Sequence, residues 1–192
     1  PSQVTFLGSV SRAGKTVTGY WSYKLEYRDF NGDGFLDVVR YRTYPNCTDC
    51  SALGDSSNIA VALNNGAGFG NFQTWMTANT QWRKMIKLGD FNGDRLPDLI
   101  GFDGTVAINT GSGFVIDSAW SAIAGLQTDL VNYIRSNVNT GDFNGDGLTD
   151  IVGFYDAGIK VYLSTGNGFQ SGHIDSTFAV LASYKFVLLD IN

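Results

Sequence analysis

The 192 residues carry 13 Lys and Arg against 18 Asp and Glu, a formal charge of −5. That acidic balance excludes a protein that grips a phosphate backbone through a clustered basic face. A composition of 43% hydrophobic and 16% charged residues is that of a globular chain. The most apolar stretch, residues 178–189, is too short for a helical membrane span and contains Lys185.

Residues 1–23 hold two segments, around Val4 to Leu7 and Thr16 to Tyr20, that read as strands of a preceding or closing unit. The string Asp29-Phe-Asn-Gly-Asp-Gly-Phe-Leu-Asp37 then opens a first repeat over 24–82. A second copy, Asp90-Phe-Asn-Gly-Asp-Arg-Leu-Pro-Asp98, opens a repeat over 83–134, and Asp142-Phe-Asn-Gly-Asp-Gly-Leu-Thr-Asp150 opens a third over 135–182. Residues 183–192 end on Asp190-Ile-Asn192, the start of a fourth copy cut short. Successive copies begin 61, 52 and 48 residues apart, a period of blade-forming β repeats rather than of helical hairpins.

Each repeat has the same internal order. A short apolar run follows the loop, at Asp37 to Val39, Asp98 to Phe102 and Asp150 to Phe154, and reads as a strand buried on both faces. An alternating strand comes next, with Ile59, Val61 and Leu63, with Val106 and Ile108, or with Ile159, Val161 and Leu163 on one side. It ends in a tight turn, Asn64-Asn-Gly66, Asn109-Thr-Gly111 or Ser164-Thr-Gly166. A Gly-Phe pair follows, carrying Phe69, Phe114 or Phe169. With the strand before the next loop, this makes about four strands per period. Four strands cannot bury both faces of their sheet alone, so the copies must pack on one another, and units this long favour radial packing. The expected fold is all-β: a β-propeller, or a sector of one, built of four-stranded antiparallel blades. Apolar residues between Ser121 and Ile134 form no helical stripe, and that stretch reads as loop and strand.

The loops carry the chemistry. In Asp-x-Asn-x-Asp-Gly-x-x-Asp, side-chain oxygens recur at positions 1, 3, 5 and 9, with a backbone carbonyl at 7 and a turn-permitting Gly at 6. These are hard ligands at a spacing that wraps Ca²⁺ and suits Mg²⁺ less well. The candidate ligands are Asp29, Asn31, Asp33, Asp37 and the Phe35 carbonyl; Asp90, Asn92, Asp94, Asp98 and the Leu96 carbonyl; and Asp142, Asn144, Asp146, Asp150 and the Leu148 carbonyl. Position 12 is Arg40, Gly101 or Gly153, never the bidentate Glu of an EF-hand. The same residues can instead close metal-free Asx turns. Arg95 stands where the other copies have Gly, a source of strain if that position needs positive φ.

The loop string, the alternating strand and the turn ending in Gly-Phe together resemble the FG-GAP repeats of integrin α chains, also called VCBS repeats. The resemblance covers most of residues 24–192. It implies a propeller, typically of seven blades, with a structural Ca²⁺ in the loop joining the first two strands of a blade. The pairs Gly101-Phe102 and Gly153-Phe154 also look like those of fungal propeller lectins.

The first repeat carries an insertion over 40–58 that holds Cys47, Cys50 and the acceptor sequon at Asn46. Zinc needs about four ligands, and the chain has no second Cys pair and His173 as its one histidine. A thioredoxin-like role wants a helix start. A small local disulfide is the expectation, which points to an oxidising compartment and an extracellular, secreted or cell-surface protein. Asn46 is a candidate for glycosylation.

No catalytic constellation stands out, since His173 has no Ser or Cys motif beside it and Glu26 is the only Glu. The expected role is a non-catalytic binding module, lectin- or adhesin-like, for a glycan or an extracellular protein. Trp82, Tyr41 and Tyr44 are the candidate stacking platforms, whereas Trp75 and Trp120 recur six residues after a Gly-Phe aromatic and read as filling between blades. The alternative is a structural or assembly module of an extracellular filament, a surface layer or a larger multidomain protein, with self-assembly or continuation into further blades as the partners it implies.

Overall fold

The computed structural model describes residues 4–12, 15–43, 57–78, 86–101, 104–122, 138–155, 158–170 and 173–175. These form three sheets of strands that follow one another in sequence order. The first contains β1 (Val4–Arg12), β2 (Lys15–Arg28), β3 (Asp37–Thr43), β4 (Ser57–Ala62) and β5 (Gln73–Ala78), each antiparallel to the next. The second contains β6 (Ile86–Gly89), β7 (Asp98–Gly101), β8 (Val106–Asn109) and β9 (Phe114–Asp117). The third contains β10 (Val138–Gly141), β11 (Asp150–Tyr155), β12 (Gly158–Tyr162) and β13 (His173–Asp175), again antiparallel. The architecture is all-β with four-stranded meanders as its recurring element, and no helix among the described residues is long and apolar enough to cross a membrane.

The first sheet has a fifth strand because β2 is long. It runs without a break from Lys15 to Arg28, pairing β1 through Val4↔Tyr23 to Arg12↔Lys15 and β3 through Ser22↔Thr43 to Arg28↔Asp37. Residues 4–28 therefore belong to the same sheet as the first repeat.

The apolar run after each loop becomes the strand expected. Leu99 and Ile100 on β7 and Val39 on β3 are fully buried, as is Ile151 on β11. The next strand departs from simple alternation. Ile59 and Val61 on β4 are buried as expected, but so are Ala60 and Ala62 on the other face, while Leu63 is exposed. Small side chains on the second face let β4 be covered from both sides, and Ala107 does the same on β8. On β12, Tyr162 is the fully buried residue, and Ile159 and Val161 are half-buried around Val152.

A short 3₁₀ turn, Ser118–Ala122, follows β9. Asp117 Oδ1 caps it by accepting from Ala119 N at 2.9 Å, and the turn carries Trp120 into the core.

The chain divides into two compact units that do not coincide with the repeats. One comprises Pro1–Ile86 together with Asn109–Val115, the other Lys87–Ile108 together with Ile116–Asn192. In the first, Phe30 lies edge-on to Trp75 at 6.3 Å and to Phe114 at 6.0 Å between ring centroids. In the second, Phe91, Trp120 and Phe169 form a matching triad, with Phe169 at 5.4 Å from Phe91 and 5.3 Å from Trp120. Trp75 and Trp120 are thus packing residues.

Candidate metal centre

The three loops fold alike, residue for residue. At position 4, Gly32, Gly93 and Gly145 take φ of 78°, 81° and 80°, and at position 6, Gly34, Arg95 and Gly147 take 89°, 72° and 87°. Two left-handed residues in quick succession reverse the chain tightly and turn several N–H groups inward. The first Asp of each loop collects them. Asp29 Oδ1 accepts from Gly32 N at 2.7 Å and from Asp33 N at 3.2 Å, and its Oδ2 accepts from Gly34 N at 2.7 Å. Asp142 repeats this with Gly145, Asp146 and Gly147, and Asp90 with Gly93 and Arg95. The Gly147 N–H, foremost among these donors, holds the Asp142 carboxyl below the usual carboxylate range, because every donor favours the charged form.

Positions 3 and 5 close Asx turns on one another. Asn31 Oδ1 accepts from Asp33 N at 3.1 Å, Asn31 Nδ2 donates to Asp33 Oδ2 at 2.8 Å, and Asp33 Oδ1 accepts from Phe35 N at 2.9 Å. The second and third loops repeat all three bonds, through Asn92, Asp94 and Leu96 and through Asn144, Asp146 and Leu148.

The Asp at position 9 does a different job. Asp37, Asp98 and Asp150 are fully buried. Asp37 Oδ2 accepts from Phe30 N and its Oδ1 from Asn64 N, both at 2.8 Å, so one carboxylate ties the start of the loop to the turn after β4. Asp150 does the same with Phe143 N at 2.9 Å and Ser164 N at 2.7 Å, and Asp98 accepts from Phe91 N at 2.9 Å. Burial pushes the Asp150 carboxyl above its ordinary range, outweighing the two N–H donors.

The candidate ligands therefore separate into an exposed trio at positions 1, 3 and 5 and a buried strut at position 9. Among the described residues no group of three or more His, Cys, Asp or Glu side chains stands together as a metal cluster. The trio presents carboxylate and amide oxygens only, a donor set that suits a hard cation such as Ca²⁺. No Lys or Arg among the described residues pairs with Asp29, Asp33, Asp90, Asp94, Asp142 or Asp146; the ion pair described is Lys24 with Glu26.

Of the candidate ligand platforms, Tyr41 is corrected by the structure. It is 1% exposed on β3 and its hydroxyl donates to Glu26 Oε1 at 2.6 Å, so its ring offers no face to a sugar. Burial, with Glu26 beside it, pushes its hydroxyl pKa far up. The Tyr sits in a strand whose neighbours alternate inward, and its partner is the one Glu of the chain, two positions along β2 from Lys24, which pairs with Tyr41 in register. Tyr44, Trp82, Asn46, Cys47, Cys50 and the fourth-copy fragment at 183–192 lie outside the described residues.

Sequence reading missed the turn residues. Asn109 Nδ2 donates to Phe30 O at 2.9 Å, and Ser164 Oγ donates to Phe91 O at 2.7 Å, each reaching the loop of the preceding repeat. The available signal was the recurrence of Asn or Ser at one register, two residues before a Gly. No protein-family model matches the chain, and no curated protein matches it.

Proposed function

We propose that this chain is a calcium-stabilised β-propeller sector of the FG-GAP type, working outside the cell as a non-catalytic binding module for a glycan or an extracellular protein. One observation carries the calcium part: the same loop occurs three times, each with two carboxylates and an amide held in a nine-residue turn and, among the described residues, no Lys or Arg paired with those carboxylates. Position 1 is oriented by backbone N–H groups, position 9 fastens the loop to the sheet, and a bound Ca²⁺ would be held by Asp29, Asn31 and Asp33 and their counterparts. Its contribution there is structural, joining loop residues that otherwise repel. The all-β sheets support the blade reading, and the local Cys47 and Cys50 pair supports the oxidising compartment.

Native mass spectrometry of the intact chain in Ca²⁺ and after chelation tests the metal. Three bound ions and a melting temperature that falls on chelation are expected, by mass action on the folded state. A mass without added Ca²⁺ and an unchanged melting temperature would reject it. Glycan-array binding tests the ligand class, with Trp82→Ala and Tyr44→Ala expected to weaken any hit.

A further inference from the structure

Asn stands directly before Gly at Asn31, Asn65, Asn92, Asn144 and Asn167. We infer that Asn167 is the one among them that the fold leaves open to spontaneous deamidation, which makes the joint between the second and third repeats sensitive to age. Asn is chemically labile, and most so before glycine, whose missing side chain lets its amide nitrogen approach the preceding carboxamide. The Gly nitrogen attacks Asn Cγ, its proton passes to a solvent base, and the Cγ–Nδ2 bond breaks to release ammonia. Water then opens the cyclic imide at either carbonyl, leaving Asp or isoaspartate. Two atoms must be free for this: the Gly nitrogen that attacks and the Asn Nδ2 that leaves.

The three acidic loops tie up both. Gly32 N, Gly93 N and Gly145 N each donate to the first Asp of their own loop at 2.7 Å. Asn31 Nδ2, Asn92 Nδ2 and Asn144 Nδ2 donate to the Asp at position 5, at 2.8, 2.9 and 2.8 Å. Asn144 is exposed, so these bonds and not burial protect it. At Asn65 only the attacking atom is held, since Gly66 N donates to Asn64 Oδ1 at 3.0 Å.

The turn after β12 holds neither atom. Asn167 is exposed, and among the described residues no acceptor meets its Nδ2 or Gly168 N. Its Oδ1 stands 2.9 Å from the Thr165 hydroxyl, a donor that draws electron density from Cγ and so assists attack. That hydroxyl also lies 3.0 Å from Gly168 O, to which Thr165 N donates at 2.9 Å, so the turn itself is well closed around the reacting pair. Ser164 and Phe169 flank the turn and both grip Phe91, while a Cβ on Gly166 would stand 3.7 Å from Asn92 O. Isoaspartate lengthens the main chain between Ser164 and Phe169 by one methylene, and either product sets a new carboxylate next to the second acidic loop.

The test incubates the full chain in mildly alkaline, calcium-containing buffer at physiological temperature. Digests are then mapped by mass spectrometry, with electron-transfer fragmentation to tell isoaspartate from Asp. Asn167 is expected to convert about tenfold faster than Asn31, Asn92 or Asn144, whose loop bonds must open first, with Asn65 between them. In urea the five rates should converge. Gly168→Ala should slow conversion at Asn167 alone; Gly168 lies outside the left-handed region and an added Cβ would stand 4.0 Å from Thr165 Oγ1, so alanine fits and wild-type melting is expected. The fraction carrying isoaspartate at position 167 should melt below the unmodified chain. Equal rates in the folded chain, faster conversion in an acidic loop, or a ranking that persists in urea would each overturn the inference. So would a Gly168→Ala chain that folds and still converts at the wild-type rate, or an isoaspartate fraction that melts like fresh protein.

Discussion

Arg95 holds φ of 72° and is the one non-glycine residue with positive φ among those described. Its amide still donates to Asp90 Oδ2 at 2.8 Å, so the loop keeps its shape and the side chain bears the steric cost. Replacing Arg95 by Gly should raise stability by about 1 kcal/mol, the left-handed penalty of a residue with a Cβ, and thermal melting in chelator would show it. Asp150 and Asp142 set opposite pH dependences. Burial raises the Asp150 pKa, so between the ordinary carboxylate range and that raised value the folded chain holds a proton that the unfolded chain has lost. Its contribution therefore falls as pH rises through that window. Asp142, lowered by its N–H donors, contributes above the ordinary carboxylate pKa and loses that contribution as pH drops below it. In chelator, Asp142→Asn should therefore flatten the loss of melting temperature on the acid side of the ordinary carboxylate range and Asp150→Asn the loss on the other side, and variants whose profiles match wild type would contradict the assignment. The loop residues were legible because spacing alone fixes which oxygens can meet in nine residues. The burial of Asp37 was not, because it depends on Asn64, 27 positions away.

At the level of the elements, position in the repeat decides cost. Phe69 and Phe169 occupy the same turn, yet Phe169 seals a triad with Phe91 and Trp120 while Phe69 faces solvent. Phe169→Ala should cost about 3–5 kcal/mol, a core-aromatic truncation, and Phe69→Ala about 0.5 kcal/mol or less. Urea unfolding of both variants separates them, and equal losses would contradict the difference in packing. Tyr41→Phe should cost about 1 kcal/mol by removing the hydroxyl donated to Glu26, which keeps Lys24 as partner. The strands themselves were readable from their apolar runs. What period-two reading could not supply was the second buried face of β4 and β8, because alanine is ambivalent in sequence and only a neighbour decides whether Ala60, Ala62 and Ala107 are covered. The 3₁₀ turn that carries Trp120 was likewise invisible, being shorter than any periodic signal.

For the whole chain, repeats and compact units are out of register. Residues Asn109–Val115 are encoded in the second repeat and cohere with the first unit, through Asn109 on the Phe30 carbonyl and Phe114 on the Phe30 and Trp75 rings. Hydrogen exchange on Phe30→Ala should accelerate at the Thr110 and Gly111 amides, which close this turn, well before it does at Ile151 and Val152 in the other unit. Equal acceleration at both places would deny the division. The offset has a consequence for how such a chain changes length. Because the second and third copies are each fastened by a turn to the loop of the copy before, excising or duplicating one full period, from one leading Asp to the next, would rejoin a turn and a loop of the same design. No new contact has to be invented, so the number of copies is a quantity that this construction leaves free to drift.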